Sequence, residues 1–407
     1  MGKTIALLGT FDTKGVEYAF VRKCIHDRGH ATLLIDAGID EPREVEPDVP
    51  RAEIAAAAGG NLESVAARRD RGEAVALMAR GVEILVPRLH AAGAFDGILA
   101  LGGTGGTSVG CAAMRSLPLG VPKVMVSTVA GGNVSGYVGV SDIVMIPSIV
   151  DVSGVNRVSR EVFARAAGAV CGMVEATVEL GDAKPLVVAS MFGNTTRCVE
   201  AAKAIFEKAG YEVLVFHATG IGGRTMERLI ESGRVDGVFD VTTTEWADEM
   251  LGGVLAGGPN RLEAAARCGV PAVVAPGCLD MVNFHAPDTV PDAFRERILY
   301  RHNPNITLMR TTPDECRRLG RIVAEKLSGS TGPVTVLLPR GGWSMIDAPE
   351  GPFWWPEADR AFDDALKAAL RDDIAVVELD VNINDPEFSR LAADTLLKNM
   401  ASKPKPV

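Results

Sequence analysis

The sequence has few aromatic residues, no paired cysteine motif and no surplus of basic residues. Phe, Trp and Tyr make up 5% of the 407 residues, so the core must be mainly aliphatic. The seven cysteines are scattered, without a CxxC pair or a cysteine–histidine cluster, which argues against a disulfide framework or a structural zinc site. Because 52 acidic residues oppose 42 basic ones, the net charge of −10 disfavours a protein that binds nucleic acid or anionic membranes.

Long hydrophobic runs are also missing. No uninterrupted apolar stretch reaches the length of about 18 residues that a transmembrane helix needs. The first residues, MGKTIALLGTFDTKG, contain a short apolar segment without a signal cleavage site, and this pattern predicts a first strand. Apolar residues still make up 47% of the chain, enough for a large core. These observations predict a reduced, soluble, cytoplasmic protein.

Short aliphatic segments alternate with longer helical patterns along the chain. The segments lack polar–apolar alternation, as expected for parallel strands that are covered on both faces. The predicted strands are 4–8, 31–35, 97–101, 123–126, 143–146, 186–190, 212–217, 237–241, 272–275, 306–310, 334–339 and 374–379. The polar stretch 179–185 interrupts the pattern. We therefore predict an α/β protein of two Rossmann-like subdomains, residues 1–182 and 183–407, each built on a mostly parallel, doubly wound sheet.

Two glycine-rich loops directly follow predicted strands in the first subdomain, GTFDTKG (9–15) and GGTGGTS (102–108). Open parallel sheets bind ligands beyond the carboxyl ends of their strands, and glycine amides at a helix N-terminus form a site for anions. The loops predict a phosphate site in which Lys14 contacts phosphate and Asp12 contacts a metal or a hydroxyl group. The alternatives are helix packing for the glycines, a solvated lysine and an N-capping aspartate. A further loop, STVAGGN (127–133), either closes the same site or is ordinary turn chemistry.

The second subdomain has a comparable series of polar loops after its predicted strands. TGIGGR (219–224) forms another predicted anion site, in which Arg224 would hold an anionic substrate group through paired donors. Glu245, Asp280 and His285 are candidates for acid–base chemistry or metal ligation. We predict that one pocket collects the loops 219–224, 242–245, 279–285 and 340–344. The alternative is that these polar residues cap helices, carry loop charges or, for the histidine, lie on the surface.

Several motifs resemble one known family. The first half contains GTFDTK (9–14), DRGEA (70–74), GGTGGTS (102–108), YVGVSD (137–142) and PSIVDVSGVN (147–156). The second half contains TGIGGRTME (219–227), DVTTTEWAD (240–248), LDMVNF (279–284), HNPNITLMRTT (302–312) and DAPEGPFW (347–354). In this order and spacing they resemble the UPF0261, or Tm-1-like ATP-binding, family over nearly the whole chain. Residues 39–60 do not match closely, so no partner-binding surface is transferred there.

The resemblance implies two Rossmann-like subdomains, self-association and ATP bound in the N-terminal subdomain. The positions that match the ATP loops are Gly9, Thr10, Asp12, Thr13, Lys14, Gly102, Gly103, Gly105, Gly106 and Thr107. A homodimer or higher homo-oligomer is therefore expected, and the aromatic cluster at 353–355 is a second reason to expect self-association.

We expect an ATP-binding enzyme that acts on a small anionic or carbonyl metabolite at the cleft between the subdomains, with Mg²⁺ as a candidate ion. Its predicted catalytic residues are Glu245, Asp280 and His285, and carboxylate support for a metal would come from Asp12, Glu245 and Asp280. The predicted substrate-binding residues are Gly222, Gly223, Arg224, Thr243, Asn283 and Arg310. Two alternatives stay open: a nucleotide-stabilised binding or regulatory protein without turnover, and a metal-dependent or acid–base enzyme that works only in the second subdomain.

Overall fold

A computed structural model of the protein describes residues 2–68, 70–177 and 183–402. The chain divides into two compact units, residues 1–180 and 181–407. The predicted subdomain boundary between 182 and 183 lies at the edge of the stretch 178–182, which is outside the described residues. None of the described helices combines the length and the apolar character that crossing a membrane requires.

The N-terminal unit is built on five parallel strands in the order β2-β1-β3-β4-β5. In chain order its elements are β1 (Thr4–Gly9), α1 (Phe11–His26), β2 (Ala31–Asp36), α2 (Arg51–Ala57), α3 (Leu62–Arg68), α4 (Arg71–Ala91), β3 (Gly97–Gly102), α5 (Thr104–Ser116), β4 (Lys123–Ser127), α6 (Ser135–Val138), β5 (Val144–Pro147) and α7 (Arg157–Glu175). The strand order reverses between β1 and β3, because β2 lies on one side of β1 and all later strands lie on the other. Open α/β sheets bind their ligands at such a reversal.

Successive residues of β1 point to opposite faces of this sheet. Ile5 and Leu7 pack with α1 and α7 in one core cluster, whereas Ala6 and Leu8 pack with α4 and α5 in another. All four side chains are at most 1% exposed. Removal of this aliphatic surface from water, at about 25 cal/mol per Å² of apolar area, is the main source of stability for such a sheet.

A tyrosine occupies the place where β1 and β3 separate. Their pairing runs from Ile5 opposite Gly97 to Leu8 opposite Ala100. At the end of this pairing, the Tyr18 hydroxyl donates a hydrogen bond to the Leu8 carbonyl at 2.5 Å and accepts one from the Leu101 N–H at 2.7 Å. One buried hydroxyl group therefore satisfies backbone groups of both strands at the reversal.

The C-terminal unit contains a six-stranded parallel sheet in the order β14-β13-β9-β8-β6-β7 and a separate three-stranded sheet in the order β10-β12-β11. Its elements are β6 (Leu186–Met191), α8 (Thr196–Lys208), β7 (Glu212–His217), α9 (Ile221–Glu231), β8 (Gly237–Thr242), α10 (Glu245–Leu251), α11 (Ala264–Cys268), β9 (Ala272–Gly277), β10 (Met281–Phe284), β11 (Leu299–Asn303), β12 (Ile306–Arg310), α12 (Pro313–Ser328), β13 (Val334–Pro339), α13 (Pro356–Ala369), β14 (Ala375–Leu379) and α14 (Pro386–Ser402). Helices α8 and α14 cover one face of the large sheet, and α9, α11, α12 and α13 cover the other.

The prediction of two mostly parallel, doubly wound sheets is confirmed, but one predicted strand belongs elsewhere. The segment 306–310 is the middle strand of the small antiparallel sheet, where Arg310 lies opposite Met281 and Thr307 lies opposite Phe284. Its neighbours escape detection because β10 has only four residues and β11 is exposed along its whole length. A short aliphatic segment whose partners are hidden in this way has the same pattern as a buried parallel strand.

Candidate functional site

A cavity of about 710 Å³ lies at the carboxyl edge of the N-terminal sheet, beside the reversal between β1 and β3. Loops that follow β1, β2 and β3 form its walls. Eight of the residues predicted for the ATP loops line it: Thr10, Asp12, Thr13, Lys14, Gly102, Gly103, Gly105 and Gly106. The volume lies within the range of about 300–1,000 Å³ that is usual for ligand pockets.

One wall of this cavity was not predicted, because it comes from α3, α4 and the loop after β2. The apolar side chains of the cavity are Ala37, Ile39, Val65, Ala74, Val75, Met78 and Val109. Asp70 and Arg71, at the start of α4, also line it. They belong to the motif DRGEA, which was the only sequence signal for this wall. The cavity thus has a polar end at the glycine loop and an apolar side along α4.

The glycines after β3 differ in what the surrounding protein requires of them. A Cβ added to Gly102 would lie 2.8 Å from the Gly106 Cα, so glycine is needed there for packing. A Cβ on Gly105 would come no closer than 3.5 Å to a neighbouring atom, and one on Gly103 no closer than 3.8 Å. Free space therefore remains beside Gly103 and Gly105, as close approach of a ligand to the backbone requires.

Gly9 and Thr107 are absent from the lining of the cavity and have contacts within the protein, so their nucleotide contact stays a prediction. A Cβ on Gly9 would lie 2.1 Å from the Tyr18 hydroxyl oxygen, so glycine admits the tyrosine. Thr107 is fully buried, and its hydroxyl group hydrogen-bonds the Gly103 carbonyl at 2.8 Å and the Ser127 hydroxyl at 2.7 Å. Thr107 thereby holds the glycine loop in position from the protein side.

Acidic side chains outnumber basic ones among the described residues of the cavity. The charged residues that line it are Asp12, Asp40, Asp70, Asp151, Lys14 and Arg71. Asp12 Oδ2 accepts the backbone N–H groups of Ile39 and Asp40 at 3.1 Å each, whereas its Oδ1 is shielded from solvent and has no hydrogen-bond partner. A polyphosphate would therefore need an accompanying cation here. Since no described group of three or more His, Cys, Asp or Glu could hold a metal ion, such a cation would also need ligands from the phosphate.

The glycine-rich loop of the C-terminal unit is filled by a carboxylate of the protein itself. The backbone N–H groups of Gly220 and Gly223 both donate to Glu245 Oε1, at 2.6 and 3.1 Å. A Cβ on Gly223 would lie 2.0 Å from Glu245 Oε2, so glycine lets this carboxylate reach the backbone. TGIGGR therefore binds an anion, as its pattern indicates, and the anion is Glu245.

Glu245 also belongs to a buried ion cluster around Arg261. The Arg261 Nε donates to Glu245 Oε2 at 2.7 Å, and its terminal nitrogens donate to Asp240 and Glu227. Burial alone would lower the pKa of this guanidinium, but the three carboxylates outweigh it and raise the pKa well above its ordinary value. A catalytic role for Glu245 would require this cluster to open.

Asp280 lies in another buried cluster, around Arg310. Arg310 donates to Asp359 at 2.6 Å and lies 3.6 Å from an oxygen of Asp347, while Asp280 accepts the Ser344 hydroxyl at 2.9 Å. Burial, followed by the neighbouring Asp347, raises the pKa of Asp280 to about 7 and that of Asp359 to about 8. Several carboxyl groups share one guanidinium here, so part of the set holds its protons near neutral pH.

The predicted acid–base residues Glu245 and Asp280 belong to two different hydrogen-bonded clusters. Among the described residues, the hydrogen-bond and ion-pair partners of Glu245 and Asp280 do not overlap. Arg224 is exposed, and its Nε donates to the Gly220 carbonyl at 3.2 Å. His285 is exposed at the end of β10. Their catalytic and substrate-binding roles stay predictions.

Three further residues that were predicted to contact substrate, Thr243, Asn283 and Gly222, have close contacts within the protein. Thr243 donates to the Ala275 carbonyl at 3.0 Å, and the Asn283 side-chain amide donates to Asp248 at 2.8 Å. A Cβ on Gly222 would lie 1.8 Å from the His217 carbonyl oxygen, so this glycine allows a close backbone contact.

The aromatic cluster at 353–355 is not an exposed patch. Phe353 is 1% exposed, and both tryptophans beside it are half-buried. Self-association therefore stays a prediction that rests on the resemblance alone.

Comparison with known sequences places both units in one family. Residues 3–179 match the N-terminal domain of an uncharacterised protein family, UPF0261, and residues 184–400 match its C-terminal domain. The chain belongs to the UPF0261 family. This confirms the resemblance that the motifs indicated.

Relatives of this UPF0261 chain occur in bacteria and in a plant. It is 47% identical over 402 residues to a UPF0261 protein of Clostridium tetani, covering 98% of this chain and 100% of that one. It is 45% identical over 392 residues to a UPF0261 protein of Rhizobium meliloti, covering 96% and 97%. It is 42% identical over 336 residues to the ToMV resistance protein Tm-1(GCR237) of Solanum lycopersicum, covering 81% of this chain and 45% of that protein.

Proposed function

We propose that the N-terminal unit of this UPF0261 protein binds ATP in the 710 Å³ cavity, which we call the nucleotide cavity. The observation that carries the proposal is its position at the reversal between β1 and β3, with a glycine-rich loop at the start of α5. The positive end of the α5 dipole and the free space beside Gly103 and Gly105 support phosphate binding. The apolar side along α4 supports placement of the base there.

Mg²⁺ is the candidate companion of the phosphates. Its chemistry would be neutralisation of phosphate charge in a cavity whose own side chains are mainly acidic. Asp12 is the residue that would hold it, because its Oδ1 has no hydrogen-bond partner among the described residues although this atom is shielded from solvent. Asp12 Oδ2 is meanwhile fixed by two backbone N–H groups, which orients the carboxylate.

A thermal-shift experiment tests this proposal. ATP with Mg²⁺ should raise the melting temperature of the wild-type protein, because a ligand that binds only the folded state stabilises it. Gly105→Val should keep the fold and lose the shift, since the added side chain would occupy the space reserved for phosphate. Gly172→Val is the matched control, because Gly172 is a helical glycine of the same unit with no atom within 4 Å of an added Cβ. A folded Gly105→Val variant with an unchanged ATP response would refute the site.

A second candidate function is a nucleotide-stabilised binding protein without turnover. It is favoured by the C-terminal clusters, in which Glu245 and Arg310 are engaged by other groups of the protein. The two functions differ in one measurement: both predict the thermal shift, but only an enzyme would convert ATP.

A further inference from the structure

A second cavity, of about 510 Å³, lies beyond the ends of β4 and β5 and is called here the acceptor cavity. Thr128 after β4 and Ser148, Ile149 and Asp151 after β5 line it. Asp151 also lines the nucleotide cavity, so the two cavities share this residue. A Cβ on Gly103 would lie 3.8 Å from the Thr128 hydroxyl oxygen. The glycine-loop end of the nucleotide cavity therefore borders the acceptor cavity.

The loop that carries Asp151 is anchored on both sides of this residue. The Lys14 amine donates to the Val152 carbonyl, and the Gly154 N–H donates to the buried Glu17 carboxylate at 2.6 Å. The Ser148 hydroxyl donates to the Val150 carbonyl at 2.6 Å. The Asp151 carboxylate itself is exposed and has no hydrogen-bond or ion-pair partner among the described residues. A fixed loop thus presents a free carboxylate at the junction of the two cavities.

Ile149, two residues earlier, has an unfavourable conformation. Its φ of 66° lies in the left-handed region, which is a rare outlier for a β-branched residue, and its side chain is 73% exposed. Such backbone strain costs about 1–3 kcal/mol and concentrates at functional sites. A tight turn holds Ile149 in this conformation, because the Val150 N–H donates to the Ser148 carbonyl at 2.7 Å, and Ile149 lines the acceptor cavity.

The sites follow one another along the carboxyl edge of the sheet. Apolar residues near β2 and α4 come first, the glycine loop at the reversal between β1 and β3 follows, and the acceptor cavity lies at β4 and β5. A nucleotide whose base lies along α4 and whose phosphates lie at the glycine loop would direct its terminal phosphate toward Asp151. This order suits transfer of a group between two bound molecules.

The lining of the acceptor cavity limits the ligand class. Its described residues supply hydroxyl groups, one carboxylate and the apolar side chains of Ile149 and Val150, but no Lys, Arg or His. An anionic ligand would find no counter-charge there and would be repelled by Asp151 and by the neighbouring phosphates. A neutral or cationic molecule with a hydroxyl group fits this chemistry, because Asp151 can accept its proton.

We propose that the acceptor cavity binds a small neutral or cationic alcohol and that Asp151 is the base for phosphoryl transfer to it from ATP. This inference rests on the proposed ATP site. The acceptor oxygen forms a bond to the terminal phosphorus as the bond between that phosphorus and the β–γ bridging oxygen breaks. The hydroxyl proton passes to Asp151, and ADP leaves with the electron pair of the broken bond. Water takes the place of the alcohol when none is bound, and ATP is then hydrolysed slowly.

Phosphate release from ATP and Mg²⁺ tests the proposal with water as the acceptor. The wild-type protein should release inorganic phosphate, and Asp151→Asn should lower the rate at saturating ATP by about 100-fold or more, as loss of a general base does. Asp151→Glu, which keeps a carboxylate, should recover part of the rate. Asp27→Asn, at an exposed aspartate paired with Lys23, is the control that should keep the full rate.

ATP binding is measured on the same variants by calorimetry, so that the two proposals can fail separately. Absence of ATP binding by the wild-type protein would refute the proposed nucleotide site, and the role of Asp151 with it. ATP binding without phosphate release by the wild-type protein, or an Asp151→Asn variant that releases phosphate at the wild-type rate, would overturn the role of Asp151. Because Asp151 is exposed and unpaired, its substitution should leave the melting temperature unchanged.

Discussion

The two units carry similar glycine-rich loops, but only one of them leaves room for a ligand. The loop after β3 in the N-terminal unit borders a cavity, and the nearest atom to an added Cβ on Gly105 would be the Val75 Cγ2 at 3.5 Å. The loop after β7 in the C-terminal unit directs two backbone N–H groups at Glu245, and an added Cβ on Gly223 would meet that carboxylate at 2.0 Å. The same kind of loop thus borders an open cavity in one unit and holds an internal carboxylate in the other.

The difference follows from where each loop lies in its sheet. β3 is an inner strand beside the reversal, where neighbouring loops diverge and leave a gap. β7 is an edge strand, and α10 brings Glu245 to the loop that follows it. Arg261 then balances the buried carboxylate. A glycine-rich loop therefore indicates an anion site, and its surroundings decide whether the anion belongs to the protein.

Removal of the internal anion should have the largest effect. Glu245→Ala would leave Arg261 with one carboxylate fewer and two buried N–H groups unpaired, so we expect a loss of about 3–5 kcal/mol in the free energy of unfolding. Urea unfolding followed by tryptophan fluorescence reports on this unit, because the four tryptophans lie at 246, 343, 354 and 355. Glu200→Gln, at an exposed helical position, should change the same quantity by less than about 0.5 kcal/mol. An equally small effect of Glu245→Ala would show that the carboxylate in the C-terminal loop does not stabilise the protein, and the proposed difference between the two loops would be wrong.

One substitution made in both loops sharpens the comparison. Gly223→Ala should destabilise the C-terminal unit by about 1–3 kcal/mol, because its Cβ would collide with Glu245. Gly105→Ala should not destabilise the N-terminal unit and should gain up to about 1 kcal/mol from helix propensity. Circular dichroism during urea unfolding measures both variants. Equal destabilisation would mean that the N-terminal loop is as tightly packed as the C-terminal one.

The smallest expected effect concerns protons in the second buried cluster of the C-terminal unit. Burial raises the pKa of Asp280 to about 7, so the folded state holds a proton that the unfolded state releases near pH 4. The resulting stabilisation is complete below about pH 4 and is lost as the pH rises through 7. Asp280→Asn mimics the protonated form, so relative to wild type it should gain about 1 kcal/mol in unfolding free energy between pH 6 and pH 8. The exposed Asp288→Asn should show no such gain, and a parallel pH dependence of Asp280→Asn and wild type would exclude the buried proton.

Sequence patterns predicted the sheets and the polar end of the nucleotide cavity, because both depend on local order. A strand followed by glycines and a helix start already determines where Lys14 and Gly103 point relative to the sheet edge. The wall from α3 and α4 was not predictable in this way, since it depends on how Val75 and Met78 are brought over the edge by tertiary packing. The sequence did not indicate that Glu245 binds the TGIGGR loop for the same reason, since Glu245 follows Gly220 by 25 residues and reaches it only through tertiary packing.

The Tyr18 hydroxyl bridge has a consequence for the speed of ligand binding. Since it pairs with the Leu8 carbonyl and the Leu101 N–H, the gap between β1 and β3 exists without a ligand to hold the strands apart. The nucleotide cavity beside this reversal is therefore open before a ligand arrives, so no slow opening step precedes association. The association rate constant of ATP should then be set by diffusion and by the repulsion between the phosphates and the described side chains of the cavity, which are mainly acidic, so it should rise as salt is added.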